Sequence, residues 1–210
     1  MQFGTKLIHH PYSVDKQTGA LSTPIYQVST YHQENLDANQ EFQYSRSENP
    51  TRKALEETIA LLEGGDRGFA FSSGMAATSS VLSIFAANDH IIVCEDVYGG
   101  TYRITSQFFS RFNVEISFVD ATDIDAIQKA IKPNTKGIYL ETPSNPTMKI
   151  TDLRAVCEMV KLKDIIVMVD NTFMSPYLQR PLELGAHIVI HSGTKFIGGH
   201  SDVISGLVVA

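Results

Sequence analysis

Near the C-terminal end of the sequence, HSGTKFIGGHSD (191–202) interrupts two apolar stretches, AHIVI and VISGLVVA, with a polar, glycine-bearing cluster around Lys195. Such a lysine admits three readings: an ordinary surface turn, part of a phosphate or metal site, or an amine held for covalent chemistry. To attack a carbonyl the amine must be deprotonated, which requires surroundings that lower its pKa or place other positive charge nearby. Between Ser192 and His200, Lys195 has only uncharged neighbours. Asp170 is a second candidate. It closes the apolar run IIVMVD, and a carboxylate there is costly unless something satisfies it. Tyr98, in EDVYGG, offers a flat face for stacking. SSGMAATSS (72–80) sets Gly74 and Met75 at the start of a helix, where free N–H groups and the helix dipole attract an anion. Ser192 and Thr194 add hydroxyls, and Arg46 could add a full charge.

Several ligands fit this set poorly. The sequence contains neither G-x-x-x-x-G-K-[ST] nor G-x-G-x-x-G, which argues against nucleoside triphosphates and dinucleotides. His187 and His191 stand four apart in what reads as a strand, a separation of about 13 Å, and no H-E-x-x-H is present, so these histidines read as structural and no metal is expected. Pyridoxal phosphate (PLP) matches all four features at once. It presents an aldehyde for a lysine, a ring nitrogen that becomes a cation beside an aspartate, a ring face for an aromatic side chain and a phosphate for the helix start.

The elements that must position these residues follow from periodicity. TRKALEETIALLEGG reads as a helix with a Gly-Gly stop. Beyond it RGFAFSS, HIIVCED, EISFVD, TKGIYLETP, IIVMVDNTF, AHIVIHS and SGLVVA read as strands. GMAATSSVLSIFAAND, YGGTYRITSQFFSRF, DIDAIQKAIKP and ITDLRAVCEMVKLKD read as the helices between them. Apolar strands alternating with helices predict a three-layer α/β/α domain over 51–210 with a mostly parallel sheet. Ligands of such sheets gather beyond the carboxyl ends of the strands. Those ends carry SSGM, EDVYGG, ETPSNP, DNTF and HSGTK. Residues 1–50 lack a sustained period and are expected to form an extended arm over a neighbouring surface. The last strand runs to Ala210 without a following helix, so the chain is expected to be the front part of a longer protein.

Composition narrows the partners. Of 210 residues, 43% are hydrophobic, as in a globular protein. The 17 Lys and Arg against 23 Asp and Glu give a net charge of -6, which disfavours a nucleic-acid partner. No apolar run is long enough to span a bilayer, and the start has no signal-peptide core. Cys94 and Cys157 lack ligand spacing and read as reduced, buried thiols of a cytoplasmic protein.

YSRSENPTR, FSSGMAA, EDVYGGTYR, ETPSNPT, VDNTF, LQRPLELGA and HSGTKFIGGHSD, in this order, resemble the PLP enzymes of cysteine and methionine metabolism. That family comprises the cystathionine β-lyases, γ-lyases and γ-synthases. The resemblance covers essentially the whole chain, and family members run to nearly twice its length. It implies the large domain of the fold type I PLP-dependent transferases. Lys195 would carry the cofactor as a Schiff base and then move protons, and Asp170 would pair with the ring nitrogen. Tyr98 would stack on the ring and assist proton transfer. Gly74, Met75, Ser192 and Thr194 would bind the phosphate, and Asn145 would lie beside the ring hydroxyl. Tyr44 and Arg46 would reach the phosphate of a neighbouring subunit, making the protein a homo-oligomer, dimer or tetramer, with shared sites. Many relatives have Ala where Gly193 stands. The substrate would be a sulfur-containing L-amino acid, gripped partly by an arginine beyond Ala210. In wording the chain is most like bacterial cystathionine β-lyases, which release homocysteine, pyruvate and ammonia in methionine biosynthesis. γ-Lyase comes second, with γ-synthase or O-acetylhomoserine sulfhydrylase third. A cofactor-binding fragment without turnover is the non-enzymatic alternative.

Overall fold

The computed structural model describes residues 2–9, 14–35 and 40–210. A short helix, α1 (Phe3–Lys6), opens the arm, and α2 (Pro50–Glu63) opens the α/β region. The start of α2 is set by Pro50 in its first turn and by Asn49, whose side chain accepts from Thr51 N (2.9 Å) and Arg52 N (3.4 Å). Its end is set by Gly64, at φ 75°, where a side chain would be strained. Thr51 and Asn49 also bind the arm: Tyr26 N donates to Thr51 Oγ1 (2.8 Å), and Asn49 Nδ2 donates to Tyr26 O (3.0 Å).

Seven strands follow: β1 (Gly68–Phe71), β2 (His90–Cys94), β3 (Glu115–Val119), β4 (Thr135–Glu141), β5 (Ile166–Asp170), β6 (Ile188–Ser192) and β7 (Gly206–Val209). They form one sheet in the order β1-β7-β6-β5-β4-β2-β3. The strands from β6 to β3 pair in parallel, whereas β7 runs antiparallel to both β6 and β1. Between them lie α3 (Gly74–Leu82), α4 (Gly99–Arg103), α5 (Ile124–Ala130), α6 (Leu153–Val160) and α7 (Ser175–Leu178). Ile91–Val93, Ile138–Leu140 and Val167–Val169 are completely buried, as expected for strands covered on both faces. The mostly parallel α/β architecture expected from the sequence is therefore present.

Two elements depart from the expectation, the first being GMAATSSVLSIFAAND, which is helical only to Leu82. YGGTYRITSQFFSRF, read as a single helix, is α-helical only over α4, then widens into a π turn (Ile104–Phe108) and tightens into a 3-10 turn (Phe109–Phe112). Its hydroxyls supply a reason. Thr105, Ser106 and Ser110 donate back to the carbonyls of Thr101, Tyr102 and Ser106, each four residues earlier, a bond that competes with the helical ladder.

Candidate active site

The parallel strands β4, β5 and β6 end at Glu141, Asp170 and Ser192, with Glu141 and Asp170 directly in register. Asp170 is half-buried and accepts from Thr172 N (3.0 Å) and from the Tyr139 hydroxyl (3.3 Å). Tyr139 is fully buried, and desolvation pushes its phenol well above the ordinary range, so it stays a hydrogen-bond donor. Thr172 also ties this strand end to the next: its Oγ1 accepts from Ser192 N (2.8 Å). Lys195 follows in a tight loop closed by Lys195 N to Ser192 O (3.1 Å), Gly198 N to Gly193 O (2.8 Å) and Gly199 N to Lys195 O (2.8 Å). Its side chain is exposed.

The start of α3 meets this loop. Ser73 caps the helix by accepting from Ala76 N (3.0 Å). Among the described residues, the N–H groups of Gly74 and Met75 take no acceptor. A Cβ on Gly74 would stand 2.8 Å from Ser192 Cβ and 2.9 Å from its Oγ, so only glycine lets the Ser192 hydroxyl lie against this helix start. Two free N–H groups, a hydroxyl and the positive end of a helix dipole form a cradle suited to a phosphate. Thr194 is more constrained: its hydroxyl donates to Ser205 O (3.2 Å) and accepts from Ser205 N (3.0 Å). Gly193 backs onto the same residue, and a Cβ there would collide with Ser205 Oγ.

Tyr98, at the start of α4, is 48% exposed. A Cβ on Gly100 would stand 2.7 Å from Met75 Sδ and 3.0 Å from Tyr98 Cδ1, so this glycine brings the Tyr98 ring beside the α3 start. Beneath Tyr98 lies Glu141, absent from the residues singled out in the sequence. One of its oxygens accepts from Tyr98 N (2.8 Å) and the other from Asn145 N (3.0 Å). Burial, then the nearby charge of Asp170, raises its pKa from the ordinary 4.5 to about 7. Between these values the folded chain keeps a proton that the unfolded chain has lost, so this group lowers stability as pH rises through that window. The signal that exposed Asp170, a carboxylate ending an apolar strand, is equally present in GIYLE.

Other expected residues are placed as follows. Tyr44 and Arg46 are exposed on the arm, where the Arg46 guanidinium lies 4.8 Å from the centre of the Tyr44 ring. Among the described residues, neither makes a hydrogen bond or ion pair to the strand ends. His191 is buried and pairs with Glu63 (2.6 Å), and Asn171 Nδ2 donates to the same Glu63 oxygen (2.9 Å). His191 thus has a structural partner, and no group of residues suited to a metal ion occurs among the described residues. Burial pushes the thiols of Cys94 and Cys157 up to about 12 and about 11, leaving both protonated and poorly nucleophilic at neutral pH.

A family model for the Cys/Met metabolism PLP-dependent enzymes matches residues 4–210. The chain belongs to this family. It is 56% identical over 203 residues to a cystathionine beta-lyase MetC of Bacillus subtilis (strain 168), a match covering 97% of this chain and 52% of that protein. To a cystathionine gamma-lyase of the same organism it is 51% identical over 209 residues, covering 100% and 55%. The crystal structure of cystathionine gamma-lyase from Lactobacillus plantarum complexed with L-serine superposes with a TM-score of 0.97 at 50% identity, covering 100% of this chain and 55% of that one. The chain thus spans about half the length of these members of the Cys/Met metabolism family. Its sheet and flanking helices are consistent with the fold type I large domain, and family and residue pattern together support a PLP-binding enzyme. Among the described residues, no helix is long and apolar enough to cross a membrane.

Proposed function

We propose that the protein is a PLP-dependent carbon–sulfur lyase acting on a thioether L-amino acid of the cystathionine class. The observation that carries this reading is the convergence of Asp170, the Ser192–Lys195 loop and the α3 start, joined through Thr172 and Gly74 at the carboxyl edge of the sheet. These groups fit the cofactor's parts. The α3 cradle suits its phosphate, the half-buried Asp170 its ring nitrogen, Tyr98 its ring face and Lys195 its aldehyde. When bound, PLP supplies an electron sink for charge developing at the substrate α-carbon.

The chain's own groups do the rest. Asp170 keeps a proton on the ring nitrogen. With the cofactor bound, the free amine of Lys195 would take the substrate α-proton as general base. Loss of a sulfur substituent from Cβ then requires nothing more, whereas loss from Cγ requires the same amine to take a second proton from Cβ. One lysine therefore serves both regiochemistries. Relatives named beta-lyase and gamma-lyase match at 56% and 51%, too close to rank one reaction above the other. Matches that cover the whole chain in both sequence and structure include a relative named gamma-lyase, so the γ reading stands beside the β reading.

The test is the full-length protein, loaded with PLP and given L-cystathionine. Homocysteine with pyruvate and ammonia marks β-cleavage, and cysteine with 2-oxobutyrate and ammonia marks γ-cleavage. Absence of both sets of products would overturn the lyase assignment. The reducing cytoplasm is the matching compartment for two free cysteines.

The arm supplies the second part of the proposal. Tyr44 and Arg46, unbound to the strand ends of their own chain, reach the phosphate of a second copy and complete its site. Arg46→Ala should then weaken PLP binding roughly ten- to a hundredfold, the value of a charge-assisted contact of about 1.5–3 kcal/mol. Unchanged cofactor affinity would rule out the contact between subunits.

A further inference from the structure

The two loops that carry Tyr98 and Asn145 come from different strands. Tyr98 follows β2 and Asn145 follows β4, and nothing in the sequence joins them. In the structure they share one anchor. Glu141 is 7% exposed, and each of its oxygens takes one backbone N–H, from Tyr98 at 2.8 Å and from Asn145 at 3.0 Å. A bond to the backbone fixes where a loop begins its turn, and hence where the side chain on that residue stands. Resting on the cofactor site proposed above, we infer that Glu141 is a positioning residue, whose ionised carboxylate sets Tyr98 and Asn145 together against the cofactor.

The surroundings of Glu141 make this grip sensitive to protonation. Facing it are Asp170 on β5, Asp96 in the loop after β2, Cys94 on β2, whose sulfur accepts from Glu141 N (3.2 Å), and Tyr139 within β4. Each is acidic or neutral. Lys149, the cation lining the same small cavity, is taken by Glu95 (2.9 Å) and Asp120 (3.2 Å). Without a cationic partner, the carboxyl titrates near pH 7. Protonated, it offers one good acceptor oxygen to two N–H donors, and one loop is held less firmly. Ionised, it holds both.

Glu141→Gln separates these states, because the amide keeps the size and turns its NH2 toward one of the donors at every pH. The purified apoprotein is titrated with PLP at pH 5.5 and 8.5, with binding read from absorbance and from the circular dichroism induced in the bound cofactor. Taking the ratio of variant to wild-type dissociation constants cancels the pH effects that both proteins share. The ratio should be close to one at pH 5.5 and about ten at pH 8.5, with a weaker induced signal in the variant at the higher pH only. A ratio that stays the same at both pH values, whether one or ten, overturns the proposal, since a general structural defect carries no step near pH 7. Should the glutamine variant fail to fold, Glu141→Asp decides by the wild-type comparison alone. Its shortened arm reaches one loop at a time, so wild-type affinity and an unchanged induced signal at pH 8.5 would again overturn it. Wild-type protein that binds no PLP contradicts the site itself and is a different outcome from a wild type that binds normally beside an indifferent variant.

Discussion

Lys195→Ala is expected to abolish turnover while leaving PLP bound. General-base catalysis alone contributes typically 10²–10⁴-fold, and here the same amine is also the covalent attachment, so the loss should lie at or beyond the upper part of that range. Retention follows from what the substitution leaves in place. The free N–H groups of Gly74 and Met75, the Ser192 hydroxyl beside them and the Asp170 carboxylate are all set by backbone contacts that do not involve the Lys195 side chain. The loop itself closes through main-chain bonds of Lys195, which alanine preserves. Two measurements check this: product formation from L-cystathionine, and cofactor content after gel filtration. In the wild-type protein, borohydride followed by peptide mapping should find the cofactor on Lys195. Attachment to another lysine would displace it from the centre of the site.

The fold was largely legible in the sequence because the buried strands are uniform. Ile91–Val93, Ile138–Leu140 and Val167–Val169 have no polar face, and a parallel sheet packed on both sides demands that pattern. What periodicity does not carry is direction: GLVV reads the same whether it joins the sheet parallel or antiparallel, and β7 runs antiparallel to both neighbours. The π turn after α4 escaped for another reason, since Thr and Ser appear in many regular helices and only their back-bonding distinguishes this one. Within the site, Asp170 and Lys195 stood out as polar residues at the ends of apolar strands. Glu141 has the same signature, but its role depends on two loops 43 residues and 4 residues away in the chain. The Glu63–His191–Asn171 cluster is similarly nonlocal, joining a helix end to two strand ends through pairs more than a hundred residues apart.

Asp170 should behave unlike Lys195 when replaced. Removing its charge takes away the partner that keeps the ring nitrogen protonated, so the electron sink weakens and the rate falls, on the order of 10²–10³-fold by analogy with losing one preorganised electrostatic contact in an active site. Asp170→Ala confounds this with damage to the protein, because Thr172 N loses its acceptor, at a cost of about 1–3 kcal/mol if left unsatisfied, and the buried Tyr139 hydroxyl loses one of its partners. Asp170→Asn is the cleaner variant: its amide oxygen still accepts from Thr172 N, its NH2 can donate to the Tyr139 hydroxyl, which has Thr78 and Thr101 as other partners, the link to Ser192 survives, and the charge is gone. It should fold with nearly wild-type stability, bind PLP and let Lys195 react with the aldehyde, yet turn over slowly. A second consequence follows at Glu141. The negative charge of Asp170 is, after burial, the largest cause raising that carboxyl, so the asparagine variant should move its titration down toward the ordinary 4.5. The pH dependence of the induced cofactor signal should therefore shift to lower pH in the variant whose rate has fallen. Both readouts come from one protein, and they test different claims. A normal kcat in Asp170→Asn would remove this residue as the partner of the ring nitrogen, whereas a reduced kcat with an unmoved pH midpoint would leave that role standing and deny the coupling to Glu141.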